Sequence, residues 1–322
     1  MGCSRSTKVL KVLEERGPTA QYKCISDLTH YLKPIWIDFS PAVSPMPQLL
    51  DAAHEATYAM CFEKSDYVGC FEVIQSSLNL TPVAEVDLYQ RMYAQAVVFC
   101  NSYALRCIKA RNFAAASSLL RKSLDMTAPS VAHYPGRKAL LGWTMDTHAL
   151  YFYERKKMNA ALQYMQRAMD HIDRIKSAEG KATWRAHYAV ALSACRRSPE
   201  AVEIIKDALS EIVGVADGVI TKQHILGGRI PHAHRALAAS LCFNLAVYQV
   251  ELHHHDHAIT SCRFALLLCH GEGQGANWKK IQRLHDALAD FLEARNAEPT
   301  LGRSCRPSQL PKRSESTPPV SS

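Results

Sequence analysis

Hydrophobic positions recur every three or four residues along most of the chain, which is the spacing of one face of an α-helix. Glycine and proline are scarce inside these periodic segments and concentrate between them. The only strand-like piece, residues 35–39, is short and precedes a proline-rich link at residues 41–47. The pattern therefore predicts an all-α protein.

A spacing of small residues occurs five times within these helices. A small residue is followed at +12 by a second small residue, at +16 by a larger apolar residue and at +19 by a third small residue. The copies begin at Tyr58, where the first residue is bulky, and at Ala104, Ala149, Ala189 and Ala246. Small side chains at a contact let two helices approach closely, so each copy predicts a helical hairpin with a tight turn.

This pattern resembles the tetratricopeptide repeat. Residues 244–246 read Asn-Leu-Ala, similar to the first helix of that family, and Phe113 and Ala116 match its aromatic-x-x-Ala across the turn. Pro82 and Pro129 stand where the family often has proline. Successive copies are 40 to 57 residues apart, against about 34 in the family, so helices or links must be longer here. The resemblance implies an α-α superhelix of about five hairpins plus capping helices.

The chain divides into five parts on these criteria. We expect a lipid-anchor segment at residues 1–16, an N-terminal capping helix and proline-rich link at 17–50, the repeats at 51–270, a C-terminal capping helix at 271–296 and a disordered tail at 297–322. The gap at residues 214–231, between the last two copies, contains several glycines and predicts an exposed loop.

The resemblance also implies a binding surface. In a superhelix of this kind the first helices of the hairpins line a concave face, which would bind a helix or an extended peptide of a partner protein. Helix phase suggests eight candidate groove residues: Asn101, Arg106, His148, Tyr151, Arg185, His187, Asn244 and Tyr248.

The first six residues match the acceptor pattern for N-myristoylation. Gly2 would carry the acyl chain once Met1 is removed, and Ser6 is the hydroxyl residue that the pattern requires. One myristoyl chain anchors weakly, so a palmitoyl group on Cys3 would be the second signal. Arg5, Lys8 and Lys11 would add electrostatic attraction to an anionic leaflet. The start thus resembles a dual-acylation sequence of cytoplasmic membrane-associated proteins, and an unmodified N-terminus is the alternative.

Charge and cysteine content bear on the compartment. Formal net charge is +8, but half of this excess lies in residues 1–16 and 296–322, which gives little support for nucleic-acid binding. Eleven cysteines, an odd number without any C-x-x-C pair, indicate free thiols in a reducing compartment. We therefore expect the cytoplasmic face of a plasma, ciliary or flagellar membrane, or otherwise the cytoplasm.

Catalytic and metal-binding motifs are not apparent. Residues 253–257 read His-His-His-Asp-His, but they fall at a predicted turn and have no assignable partner ligands, so we expect a solvated turn rather than a metal site. The glycine-rich run 271–275 lacks both nucleotide-binding fingerprints. We predict no enzyme activity, cofactor or small-molecule substrate.

The leading hypothesis is a membrane-tethered scaffold that binds partner proteins in its groove. Three alternatives stay open: a soluble assembly subunit without a lipid anchor, an RNA-binding helical repeat, and an enzyme with convergent titratable groups.

Overall fold

The structure, a computed structural model, describes residues 33–37, 49–81, 86–129, 134, 136–214, 220–228, 230–269 and 276–297. Twelve α-helices lie in this part of the chain, and it contains no strand. They are α1 (Ala52–Glu63), α2 (Tyr67–Leu80), α3 (Val86–Lys109), α4 (Phe113–Thr127), α5 (Arg137–Glu154), α6 (Met158–Met169), α7 (Ala178–Ala194), α8 (Ser198–Val213), α9 (Lys222–Leu226), α10 (His232–Glu251), α11 (His255–Cys269) and α12 (Ala276–Ala297). A 3₁₀ turn, Ile172–Arg174, follows α6.

The helices pair in series into five hairpins, α1/α2, α3/α4, α5/α6, α7/α8 and α10/α11, and α12 packs on the last of them. Each hairpin also packs against the next one along the chain. The predicted fold class, an all-α superhelix, is confirmed.

The repeated small residues lie where the paired helices meet. Ala104 of α3 and Ala116 of α4 are completely buried. The equivalent alanines of the next three hairpins are equally buried: Ala149, Ala161, Ala189, Ala201, Ala246 and Ala258. Since none of them retains exposed surface, a larger side chain at any of these positions would push two helices apart.

All five hairpin turns share one backbone conformation. A residue other than glycine takes a positive φ in each turn, at 56–62°: Ser65, Arg111, Lys156, Arg196 and His253. In the second hairpin the Arg111 and Asn112 amides donate to the carbonyls of Ile108 and Cys107, and the other four turns repeat this pair of bonds. This is the Schellman arrangement, which satisfies carbonyls at the end of a helix.

The gap between α8 and α10 contains more structure than the sequence indicated. We predicted an exposed loop at residues 214–231, whereas the short helix α9 lies within it. Ile220, Ile225 and Ile230 are buried in the same core as α10. The prediction of full exposure was wrong because it weighed the glycines of this stretch and not its three isoleucines.

The structure describes the C-terminal end of the superhelix more fully than the N-terminal end. At the C-terminal end α12 packs on α11 through Ile281, Leu284, Leu288 and Phe291, all buried. The expected N-terminal capping helix and the tail beyond residue 297 lie outside the described residues. None of the described cysteines forms a disulfide.

Candidate functional site

The first helices α5, α7 and α10 form one continuous face of the superhelix. On it lie Asp146 and Tyr153 of α5, His187 of α7 and Asn244 of α10. We call the surface carrying these four residues the inner groove. It is not empty: residues 33–37, here called the groove segment, lie along it and are neither helix nor strand.

Asn244 holds the backbone of the groove segment. Its Oδ1 accepts from the Ile35 amide at 2.7 Å, and its Nδ2 donates to the Ile35 carbonyl oxygen at 2.9 Å. One side-chain amide thus satisfies both backbone groups of one residue, as a neighbouring strand would. Asn244 is fully buried. This recognition depends on the backbone and not on the side chain of Ile35.

His187 holds the other end. Its Nε2 lies 2.7 Å from the Ile37 carbonyl oxygen, and its Nδ1 lies 2.7 Å from Oδ1 of Asp146. A carbonyl oxygen only accepts, so Nε2 carries a proton and donates it to Ile37. A carboxylate oxygen also accepts, so a second proton must lie between Nδ1 and Asp146. Both His187 and Asp146 are buried. Asp146 therefore fixes the ring in the orientation that reaches the groove segment.

Trp36 occupies the middle of the groove segment and stacks on the groove. Its ring lies 4.5 Å from that of His187 at an interplanar angle of 20°, and 5.5 Å from that of Tyr153. Trp36 also packs against both hydrophobic core clusters, one on each side of α5. Burial raises the pKa of Tyr153 to about 12, which keeps its hydroxyl neutral in this apolar setting.

Two of the eight predicted groove residues are instead internal to the helix packing. Asn101 is fully buried and donates to Thr144 Oγ1 at 3.0 Å while accepting from Ser123 Oγ at 3.0 Å. This network joins α3, α4 and α5. Tyr248 is also fully buried, and burial raises its pKa well above the usual value. Neither side chain presents a surface to a ligand.

Two more predicted groove residues face the second helices. Arg185 donates to Glu211 of α8 at 2.7 Å, and this bond is the main cause that lowers the pKa of Glu211. His148 stacks on Tyr164 of α6 with 4.8 Å between ring centroids. Burial lowers the pKa of His148 to about 4, so the imidazole is neutral at physiological pH.

Of the remaining predicted residues, Arg106 is exposed and Tyr151 is buried between helices. The Arg106 guanidinium lies over the Tyr103 ring of its own helix, at 4.9 Å. Tyr151 packs edge-on against Phe113 of α4, at 6.0 Å between ring centroids. Among the described hydrogen bonds and ring contacts, only His187 and Asn244 of the eight predicted residues touch the groove segment.

Sequence reasoning missed two residues of the inner groove, Asp146 and Tyr153, and the contact that Trp36 of the groove segment makes with it. The signal for Trp36 was present, because residues 35–39 were the only strand-like piece of an otherwise helical chain. Asp146 carried no comparable signal, since a single acidic residue within a helix is ordinarily solvated.

The predicted membrane signal lies elsewhere in the chain. Gly2, Cys3, Arg5, Lys8 and Lys11 are outside the described residues. Within the described part, every helix is too short or too polar to cross a lipid bilayer.

The histidine run forms the turn and the first residues of α11. His253 is the positive-φ residue of that turn, and His255 packs edge-on against Phe291 of α12 at 4.8 Å. In the parts of the chain with described coordinates, no group of three or more His, Cys, Asp or Glu side chains is placed to hold a metal ion.

Comparisons with known proteins add a structural likeness alone. No protein-family model matches the chain, and no curated protein matches it. Among solved structures it is similar to BtubC (BKLC) from P. vanneervenii, at 18% sequence identity and a TM-score of 0.47. That similarity covers 84% of this chain and 100% of BtubC.

Proposed function

We propose that the protein is a helical-repeat adaptor whose inner groove binds an extended segment of a partner protein. One observation supports this most strongly: the groove already holds a five-residue segment of the chain, through bonds from Asn244 and His187 to the backbone atoms of Ile35 and Ile37. Backbone recognition of this kind is how extended peptides are bound, with pockets for alternate side chains adding specificity. The adaptor would act by bringing proteins together and not by chemistry.

The first experiment tests binding in trans. A fluorescein-labelled heptapeptide with the sequence of residues 33–39 is titrated with the full-length chain, and fluorescence anisotropy is followed to about millimolar protein. We expect saturable binding that Asn244→Leu abolishes, because leucine cannot pair with the peptide backbone. Asn159→Leu is the matched control, since Asn159 is exposed on the second helix α6 and should leave binding unchanged. Equal binding by both variants would place the peptide outside the groove.

We further propose that acylation of Gly2 and Cys3 tethers this adaptor to the cytoplasmic face of a membrane. The six-residue motif supports it, as do the basic residues that follow. Wild-type protein from its native cell should sediment with membranes, and Gly2→Ala should move it to the soluble fraction. Intact mass spectrometry should show loss of Met1 with one C14 chain and a second, hydroxylamine-labile chain.

The soluble alternative gives a different result. If wild type and Gly2→Ala are both found in the soluble fraction with an unlipidated N-terminus, the protein is an assembly subunit without an anchor. The groove proposal does not depend on that outcome.

A further inference from the structure

The contacts of the groove segment are those of a ligand. Asn244 pairs with the backbone of Ile35, His187 donates to the Ile37 carbonyl, and the Trp36 ring stacks on His187 and Tyr153. The helix partners of these contacts lie 150 and 209 residues away along the chain. None of the contacts requires the segment to belong to the same polypeptide. Any extended chain with an aromatic residue between two others could make all of them.

The N-terminal end of the groove segment fits less well than its middle. The Lys156 ammonium lies over the ring of Tyr153, at 5.9 Å from its centroid, on the groove side that Trp36 contacts, and the charge of Lys33 nearby lowers the pKa of Lys156. Arg111 adds further positive charge there, and Glu154 is the one acidic group that this set contains. Lys33 therefore adds a third cation beside Lys156 and Arg111. The repulsion between them weakens binding of the groove segment to the inner groove.

We propose that the groove segment is a resident ligand, and that the partner is an extended segment which displaces it. The partner would carry the same apolar–aromatic–apolar core as residues 35–37 and an acidic residue at the position of Lys33, facing Lys156. This inference rests on the proposed function, because it specifies which peptide the inner groove selects and what that peptide must displace.

Competition of this kind has a measurable size. A resident ligand raises the apparent dissociation constant of a competing peptide in inverse proportion to the fraction of molecules whose groove is free. A groove filled in about 99% of the molecules weakens apparent binding about 100-fold. Loosening the groove segment should therefore tighten binding of an added peptide.

The test compares two labelled heptapeptides, Lys-Pro-Ile-Trp-Ile-Asp-Phe and Glu-Pro-Ile-Trp-Ile-Asp-Phe, on three full-length proteins. These are wild type, Trp36→Ala and Ile35→Pro. The first variant removes the stacking ring, and the second removes the amide that donates to Asn244 while keeping the ring. Circular dichroism and melting temperature verify the fold of each. The two variants act through different atoms. If one of them fails to fold, the other can still be compared with wild type.

Both variants should bind the first peptide at least about tenfold more tightly than wild type does. The second peptide should bind about fivefold more tightly than the first, because a carboxylate replaces a cation beside Lys156. Lys156→Asn, introduced into the Trp36→Ala protein, should abolish that difference between peptides. Asparagine is suitable there because it tolerates the positive φ of this turn residue.

The outcomes separate the two proposals. Equal affinity of wild type and both variants would overturn the resident ligand and leave the proposed function standing. Equal affinity for the two peptides would overturn the preference for an acidic residue. An absence of saturable binding to wild type and both variants would refute the proposed function and this inference together.

Discussion

Asn244 is the residue whose replacement tests the groove geometry most directly. Asn244→Ala removes both hydrogen bonds to Ile35 and adds no new group. Each bond contributes a net stabilisation of about 1 kcal/mol, so docking of the groove segment should weaken by about 2 kcal/mol. At about 1.4 kcal/mol for each factor of ten, the equilibrium constant for undocking of the segment rises about 30-fold.

Hydrogen exchange of the Ile35 amide measures this change. In the wild type the amide is protected while it donates to Asn244. Asn244→Ala weakens docking and also removes this acceptor, so the exchange rate should rise at least about 30-fold. Amides of α5 serve as an internal reference, because their exchange reports opening of the hairpins and not of the segment. Asn159→Ala, at an exposed position of α6, should leave the Ile35 rate unchanged.

Two results would refute this reasoning. An unchanged exchange rate at Ile35 in Asn244→Ala would mean that other contacts alone keep the segment docked. A rise that is equally large in α5 would mean that the substitution destabilises the whole superhelix.

Three further substitutions or reagents test the packing. Gly142→Ala should lower the melting temperature by about 3 °C or more, because the added Cβ would clash with Cη2 of the buried Trp184; unchanged or higher stability contradicts this. Partial desolvation raises the pKa of Glu251, so the folded protein binds a proton there more readily than the unfolded chain does, and wild-type stability should fall as pH rises from about 4.5 through the raised pKa. In Glu251→Gln, urea unfolding between pH 4 and 8 should lack this fall, and an identical fall excludes Glu251 as its source. Burial raises the pKa of Cys242 to about 12, so iodoacetamide at pH 8 should leave this cysteine unmodified in the native protein and modify it in urea. Rapid labelling of the native protein would show that α10 is open at this position.

The helical part of the fold could be predicted because its signal is local. A hydrophobic period and a spacing of small residues both act within one hairpin, where each residue contacts others nearby in sequence. The spacing predicted a tight turn in each hairpin, and the structure has such turns, among them residues 110–112 and 155–157. Their positive φ was not foreseen, because arginine and lysine occupy the critical position instead of glycine.

The groove could be predicted only in part, for a related reason. The sequence indicated that residues 35–37 were extended but held no information on where they dock, since Asn244 is 209 residues away. Helix phase selected His187 and Asn244, which contact the groove segment, yet the same rule also selected Asn101, which is fully buried. Phase identifies a direction on a helix and does not show whether a neighbouring helix already covers it.

The groove segment contacts three successive hairpins through α5, α7 and α10, and this has a mechanical consequence. A chain that bridges several repeats fixes the angle between each repeat and the next, so the curvature of the whole array depends on what fills its inner side. Exchange of one occupant for another of different length would alter the pitch of the superhelix. The overall dimensions of the particle in solution would then report on its binding state.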